Sequence, residues 1–528
     1  MKHKYYKQYL ANSLPCIGYG ILTGAFTGAT IFLFKLLAKY AEELSRSLYA
    51  MAKNSWITVF LVFLVLAALA VLMSRIHKTA PECKGGGIPR SEGILRGVLP
   101  FRWLRTLLGT FFGSLFSFFA GLPVGSEGPA VLIGTSLGRM SLCRSKKQTA
   151  LGRHIMTSGA GAGFAVATGA PLSGILFALE EIHKRFSPIL VLTVSMAVLT
   201  ATGVNHLLCN AFQLDPMLFE FEALPAFELS HIGYLLLLGI LISLAVAIFD
   251  ASILLFRRFT ALSKKSGKIP VKLLTVFLLT GILGLCFADG AYSGHHLIIH
   301  IVEHDITALL LLILFAVRLL MMLLITDSGA TGGIFIPTLA IGALAAALIA
   351  KLLMLLGMPA ILSTTVILLG MCAFIGGTLR APLTASVLFL ELTGQFTGLF
   401  YVSLVVFVVS CITELLNQTP FYDKALEEMA EVQHHGKEML ISNFTLTISS
   451  HAFVVGKAVR DIMWPHASVI MSIVSGSNQQ IQMDDGEQRL YPGDTITIRA
   501  GYYDKEEILE LLRGLAGTEY EIEISERK

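Results

Sequence analysis

Long uncharged runs separated by short polar clusters fill the chain up to about Glu414. A helix needs about 20 apolar residues to cross a bilayer. On that measure the runs predict membrane segments at 18–37, 56–73, 106–122, 128–140, 155–180, 187–212, 231–255, 270–288, 305–325, 333–356, 361–379, 382–393 and 398–413. Several are too short to cross alone, and Gly or Pro interrupts many of them. Irregular backbone is tolerated at membrane depth only where it is buried in protein or lines a polar path. The pattern therefore predicts a helical body with a transport route through it.

An internal repeat reinforces that reading. Ala170-Pro171-Leu172-Ser173, closing on Leu179-Glu180, matches Ala381-Pro382-Leu383-Thr384, closing on Leu390-Glu391, at a constant offset of 211. Upstream of each copy a Gly-rich break carries a proline with a glycine five residues later, Pro129 to Gly134 and Pro337 to Gly342. Two such halves are the signature of a repeat-built transporter whose substrate site lies where broken helices meet.

Past Glu414 the pattern changes. The boundaries read as a membrane body over 1–418, a polar connector over 419–440 and a small soluble α/β domain over 441–528. In the last part, alternation predicts strands near 442–449, 468–474, 479–483 and 495–500. It also predicts a short helix from Gly456 to Ile462, a turn at Pro492-Gly493-Asp494 and an amphipathic helix from Lys505 to Leu515. The fold class expected is an all-α polytopic membrane protein of inverted repeats plus this α/β domain.

Composition agrees. Across 528 residues, 54% are hydrophobic and only 14% charged, against roughly 25% in ordinary soluble domains. Most soluble enzymes and any disordered scaffold are excluded. The last 88 residues hold 8 basic and 13 acidic groups, a net of −5, whereas the preceding 440 hold 32 and 23, a net of +9. The overall +4 is too mild to imply nucleic acid as a partner. Cys16, Cys83, Cys143, Cys209, Cys286, Cys372 and Cys411 are scattered singly, so neither a metal site nor a redox motif is expected.

The start, MKHKYYK, leads into a first membrane anchor, with no small-residue cleavage site in view. Lys2, Lys4 and Lys7 precede the first span, and Arg75, His77, Lys78 and Lys84 follow the second, which places the amino terminus in the cytoplasm, where the soluble tail is expected as well. Further cytoplasmic loops are expected at Arg144, Lys146 and Lys147, at His183, Lys184 and Arg185, and at Arg257, Arg258, Lys264, Lys265 and Lys268. A prokaryotic inner membrane is the expected location.

Three segments share one design: Gly85-Gly86-Gly87-Ile88-Pro89, Gly125-Ser126-Glu127-Gly128-Pro129 and Gly332-Gly333-Ile334-Phe335-Ile336-Pro337. Glycines leave backbone N–H groups uncovered, and a proline suits the first turn of a helix. Helix starts expose unpaired donors at the positive end of the macrodipole, so several together can hold an anion without a full charge that would bind it too tightly. Alone, each segment reads as a turn; three together point to an anion site. Its candidate residues include Gly86, Ile88, Gly125, Ser126 and Gly128. Glu127 lies within one cradle, where its carboxylate would compete for the donors until protonated. Glu180 and Glu181 end an apolar helix, as a solvated or ion-paired cap or as a proton entry.

These residues resemble the CLC chloride channels and proton-coupled anion transporters, over roughly 15–425. GGGIP, GSEGP and GGIFIP are similar to that family's GSGIP, GREGP and GxFxP signatures, in the same order, and APLSGILFALEE resembles its internal-glutamate helix. The resemblance implies a homodimer with one anion path per subunit, no enzyme activity and chloride with protons as substrates. It implies that Glu127 is the external gate, Glu181 the internal proton glutamate, Ile334 and Phe335 backbone amide donors, and Tyr422 a hydroxyl contact to the central anion. Two departures stand out: Gly86 replaces a serine that supplies a hydroxyl to the anion, and Ser126 replaces an arginine before the gate. The tail resembles the C-terminal subdomain of potassium-conductance regulators (RCK-C or TrkA-C), from His451 to Asp494. That implies a dimeric sensor of a cytoplasmic ligand such as a cyclic dinucleotide.

Three decoys are set aside. Ile17-Gly18-Tyr19-Gly20 looks like a cation filter but opens an apolar span. Gly134-Thr135-Ser136-Leu137-Gly138 fits a nucleophile elbow without the strand it needs. Gly159-Ala160-Gly161-Ala162-Gly163 sits where small residues let helices pack closely. A passive chloride channel on the same fold stays open as the alternative, with a potassium or cation transporter behind it.

Overall fold

The computed structural model describes residues 2–526 apart from 54, 143–149, 220, 222–223, 226, 263–268, 435–438, 466, 477–479 and 482–485. Cys143 and the basic residues Arg144, Lys146, Lys147, Lys264, Lys265 and Lys268 lie outside the described residues.

Among the described residues, sixteen helices form the body in two runs of eight. The first run is α1 (Lys2–Ala52), α2 (Trp56–Thr79), α3 (Ile88–Leu95), α4 (Trp103–Ala120), α5 (Glu127–Ser141), α6 (Ala150–Thr168), α7 (Pro171–Phe177) and α8 (Pro188–Phe212). The second is α9 (Ile232–Leu262), α10 (Ile269–Cys286), α11 (His295–Glu303), α12 (Ala308–Ser328), α13 (Phe335–Leu355), α14 (Ser363–Leu379), α15 (Pro382–Thr393) and α16 (Leu399–Leu415). The two runs correspond member by member. Both α7 and α15, and both α8 and α16, start 211 residues apart, and the short α3 and α11 each follow a glycine with positive φ, Gly87 and Gly294. Eight helices among the described residues are long and apolar enough to cross a membrane.

The halves are locked by an exchange of carboxylates. Glu180 accepts from Leu383 N at 3.1 Å, Thr384 N at 2.8 Å and Thr384 Oγ1 at 2.7 Å. Its repeat mate Glu391 accepts from Leu172 N at 2.7 Å, Ser173 N at 2.7 Å and Ser173 Oγ at 2.6 Å. Each acid thus satisfies donors at the other helix's start. Only antiparallel neighbours can make both contacts, so α7 and α15 run in opposite directions, as inverted repeats require. Replacing Glu180 by Ala should cost roughly 2 kcal/mol, read as a lower melting temperature of the purified protein, and Glu391→Ala should match it.

Several expectations need adjusting. The first span, expected at 18–37, belongs to a helix that continues through Pro15 from Lys2 to Ala52. The apolar run at 155–180 breaks after Thr168, where Gly169 takes a positive φ of 72° before Pro171. The short α11 was not expected. Residues Ile17 to Gly20 lie within continuous α-helix, whose carbonyls are taken by the helical ladder.

The glycines of the other decoys serve packing. A Cβ on Gly134 would strike Gly159 O, and one on Gly163 would strike Ala130 O, so α5 and α6 touch backbone to backbone. Ser136 turns its hydroxyl back to Leu132 O at 2.8 Å.

Beyond the body, the polar connector is largely helical, as α17 (Phe421–Gln433). Among the described residues, the tail is a five-stranded antiparallel sheet with one helix. Its strands are β1 (Leu440–Thr447), β2 (Ser468–Val474), β3 (Gln480–Ile481), β4 (Thr495–Tyr502) and β5 (Glu523–Glu526), in the order β3-β2-β4-β1-β5. The helix α18 (Lys505–Ala516) is capped by Asp504, which accepts from Glu506 N at 2.9 Å. Instead of the helix expected from Gly456 to Ile462, only a 3-10 turn forms at Val459–Asp461. Alternating positions of β4 are buried, which matches a sheet with one covered face.

The tail docks on the body. Arg153 of α6 donates to Met463 O at 2.7 Å, and Arg185 donates to Arg460 O at 2.5 Å. His434 stacks on Tyr503 at 4.0 Å and donates its Nε2–H to Val98 O at 3.1 Å. Between them Phe453 meets the His154 ring at 5.2 Å and carries the buried ammonium of Lys457 at 3.1 Å from its centroid. Burial pulls the Lys457 pKa down to about 7.

That shift makes stability depend on pH in one direction. Unfolded, the amine keeps its proton up to about pH 10.4; folded, it loses it near 7. Within that window the unfolded state binds more protons, so stability rises with pH and is flat below it. The melting temperature should climb from pH 7 to pH 9, and Lys457→Met should remove most of the slope.

Candidate functional site

The three glycine-proline breaks come to one place. Gly125 and Gly333 pair antiparallel, with Gly125 N–H to Gly333 O at 2.6 Å and Gly333 N–H to Gly125 O at 2.8 Å. The first break joins them, since Gly85 N–H reaches Gly329 O at 3.1 Å and Gly332 N–H reaches Gly85 O at 3.4 Å. The fit allows no side chain: a Cβ on Gly128 would strike Gly86 O and lie 2.8 Å from Gly333 Cα. Gly87 takes the left-handed φ of 77° that starts α3, and a Cβ there would strike Gly128 O.

The starts of α3, α5 and α13 therefore lie side by side. Their N-cap residues, Gly87, Ser126 and Ile334, make no side-chain cap hydrogen bond. No N-cap side chain takes the donors of these three first turns, although Ile88 N–H reaches Gly86 O at 2.9 Å, and Ile88, Gly128, Ile334 and Phe335 are all buried there. Gly128→Ala should cost about 1–3 kcal/mol through overpacking. It should lower the melting temperature, whereas the same change at the open Gly203 should not.

Glu127 opens α5 and is fully buried. Its Oε1 accepts from Ser126 Oγ at 3.0 Å, and Oε2 has no hydrogen-bond partner among the described residues. The carboxylate folds back over Gly125, where a Cβ would collide with Oε2. Beyond its own N–H and Ser126, the polar groups acting on it are the Lys35 ammonium and the Ile336 backbone N–H. A buried carboxylate with an unpartnered oxygen is costly in its charged form.

Glu181 occupies a π-helical turn, Ala178–Ile182, that ends α7, and it is buried with Oε1 unpartnered among the described residues. Its neighbour Glu180 faces away to cap α15. Lys184, Glu92, Asp423 and the adjacent Glu180 are the charges around Glu181. Lys184 bridges Glu92 at 2.9 Å and Asp423 at 2.6 Å, and Arg96 completes the network on Glu92 at 2.5 Å. That network was not anticipated from sequence, although a lone acid in Ile88-Pro89-Arg90-Ser91-Glu92-Gly93 was its visible trace.

Tyr422, at the start of α17, is 1% exposed, and both Glu181 and Glu127 act electrostatically on its hydroxyl. One buried phenol is thus within electrostatic reach of both acids. Gly86 contributes no hydroxyl; its carbonyl instead lies against Gly128.

Converging uncapped helix starts, two inverted halves and two buried acids define a class: a membrane transporter with an anion path at the repeat junction. The family profile described as the voltage gated chloride channel matches residues 70–414, and the chain belongs to that family. The H(+)/Cl(-) exchange transporter ClcA of Salmonella paratyphi B (strain ATCC BAA-1250 / SPB7) is 31% identical over 416 residues, covering 77% of this chain and 86% of the relative. The crystal structure of a slow cyanobacterial Cl-/H+ antiporter aligns with a TM-score of 0.72 at 26% identity, covering 79% of this chain and 98% of that one. A CLC-type fluoride/proton antiporter shares the fold at a TM-score of 0.60 and 20% identity, over 76% of this chain and 96% of that one.

Proposed function

We propose that the protein exchanges chloride for protons across the membrane. The observation that carries this is Glu127, buried among the uncapped starts of α3, α5 and α13 with one oxygen unpartnered. While ionised, its carboxylate fills the outer part of the anion path and excludes chloride. Once protonated it no longer competes for the positive helix ends, and chloride takes its place, held by the amides of Ile334 and Phe335 and by the Tyr422 hydroxyl. Gly86, Ile88, Gly125, Ser126 and Gly128 form the remaining backbone wall. Glu181, at the opposite end of the path, receives the proton from the other side and passes it to Glu127. The relatives named as exchangers support the coupling.

The family resemblance also supports a homodimer with one path per subunit, in a prokaryotic inner membrane with both termini cytoplasmic. The tail is assigned as an RCK-C-like module that senses a cytoplasmic ligand, a cyclic dinucleotide among the candidates. Its grip on Arg185, four residues past Glu181, supports an influence on the proton site.

Liposomes loaded with potassium chloride test the reading. Chloride should leave when valinomycin lets potassium follow, and the outside should turn alkaline as protons enter. Chloride release without alkalinisation would make the protein a passive channel, and potassium release without valinomycin would make it a cation transporter.

A further inference from the structure

A cavity of about 570 Å³ opens directly over Ser126 and Ile336, the residues beside the Glu127 carboxylate. Its walls come from α1, α8, the segment after α8 and the start of α11. The tail binds α6 at Arg153, whereas α1 reaches α6 from this cavity at Val166. Those positions are 13 residues apart on one helix, or about 20 Å, so the cavity is the mouth remote from the tail.

The charges in the wall are unequal in their freedom. Arg46 is paired with Glu42 at 2.7 Å, and Lys39 faces Glu43 at 4.0 Å. Asp215 is engaged by Met217 N at 2.8 Å. Lys35 differs: among the described residues it makes no ion pair within 4 Å, and its ammonium donates to the Val166 carbonyl at 3.0 Å. An ammonium has three donors, and this one uses a neutral partner for one of them. Its charge and that of Glu127 act on each other, with Asp215 in the wall as a further opposing charge.

We propose that Lys35 makes this cavity an anion-capturing vestibule, recruiting small inorganic anions from solution to the mouth beside Glu127 and so setting how much anion is needed to saturate transport. This deepens the transport reading above and rests on it. The position before the gate is Ser126, which carries no charge, and the cation arrives instead from a helix more than ninety residues earlier. While Glu127 is ionised, it balances Lys35. When Glu127 takes a proton, Lys35 loses its opposing charge on the gate, and an arriving anion replaces it. Recruitment is thereby strongest when the path beyond is ready to accept.

Lys35 also meets a carbonyl in the last turn of α6, where a cation is favourable simply as a helix cap. Two variants and one rescue separate the roles. In reconstituted protein, Lys35→Met should raise the chloride concentration for half-maximal flux about tenfold at low ionic strength, leave the maximal rate near wild type, and lose most of that difference in high concentrations of an impermeant salt. Lys35→Arg should behave as wild type, and adding Ser126→Arg to Lys35→Met should restore low half-saturation. An unchanged half-saturation in Lys35→Met, or a loss of maximal rate that Ser126→Arg does not repair, would overturn the proposal. Wild-type protein that carries no chloride would overturn the transport reading, and the vestibule with it.

Discussion

Glu127→Gln should carry chloride with no accompanying protons. The glutamine keeps the size and hydrogen-bonding shape of the acid, so Ser126 Oγ retains an acceptor at 3.0 Å and α5 retains its start. On the proposed mechanism, what disappears is the group that alternates between charged and neutral. Proton flux measured alongside chloride efflux should fall roughly a hundredfold or more, to the liposome background, while chloride efflux should persist at an altered rate. Loss of pH dependence in the chloride flux should accompany it, since the neutral amide mimics the protonated gate at every pH.

Glu181→Gln should separate the two fluxes differently. Glu181 sits in the π-helical turn beside the Lys184, Glu92 and Asp423 network. On the proposed mechanism its replacement leaves the anion path intact, so chloride should move at close to the wild-type rate and should still respond to pH through Glu127. Proton flux should drop roughly a hundredfold, as when a positioned proton-transfer group is removed. A variant that stopped chloride as completely as protons would place Glu181 in the anion path instead. Glu180→Gln is the internal control. That acid caps α15, and the amide oxygen can still accept from Thr384 N, so coupling should survive.

The difference between those adjacent acids shows what the sequence could convey. A spacing of 3.6 residues per turn places neighbours about 100° apart but does not reveal a π turn, whose extra residue rotates the register. Hence Glu180 and Glu181 looked like a pair, while the fold sends one outward to a helix start and buries the other. The glycine-proline breaks were legible because a missing side chain is a local requirement: Gly128 has no room for a Cβ beside Gly86. The repeat was legible for the same reason, since the acid that closes each copy caps the start of the other.

Contacts between distant elements were not legible. Nothing around Lys35 in Leu33-Phe34-Lys35-Leu36-Leu37 distinguishes a vestibule cation from a charge interrupting an apolar helix. The short α11, with His295, His296 and His300, is too polar and brief to register as a membrane element. The connector read as polar chain, although Phe421, Tyr422, Ala425 and Leu426 bury one face of α17.

The central claim is that a single buried acid alternates with chloride for one position. Its most direct test imposes a chloride gradient on sealed proteoliposomes with protons initially at equilibrium and follows internal pH. Outward chloride movement should drive protons inward until the interior is more acidic than the bath; a protonophore should collapse that difference, and Glu127→Gln should never form it. Chloride leaving freely while protons stay at equilibrium would contradict the account.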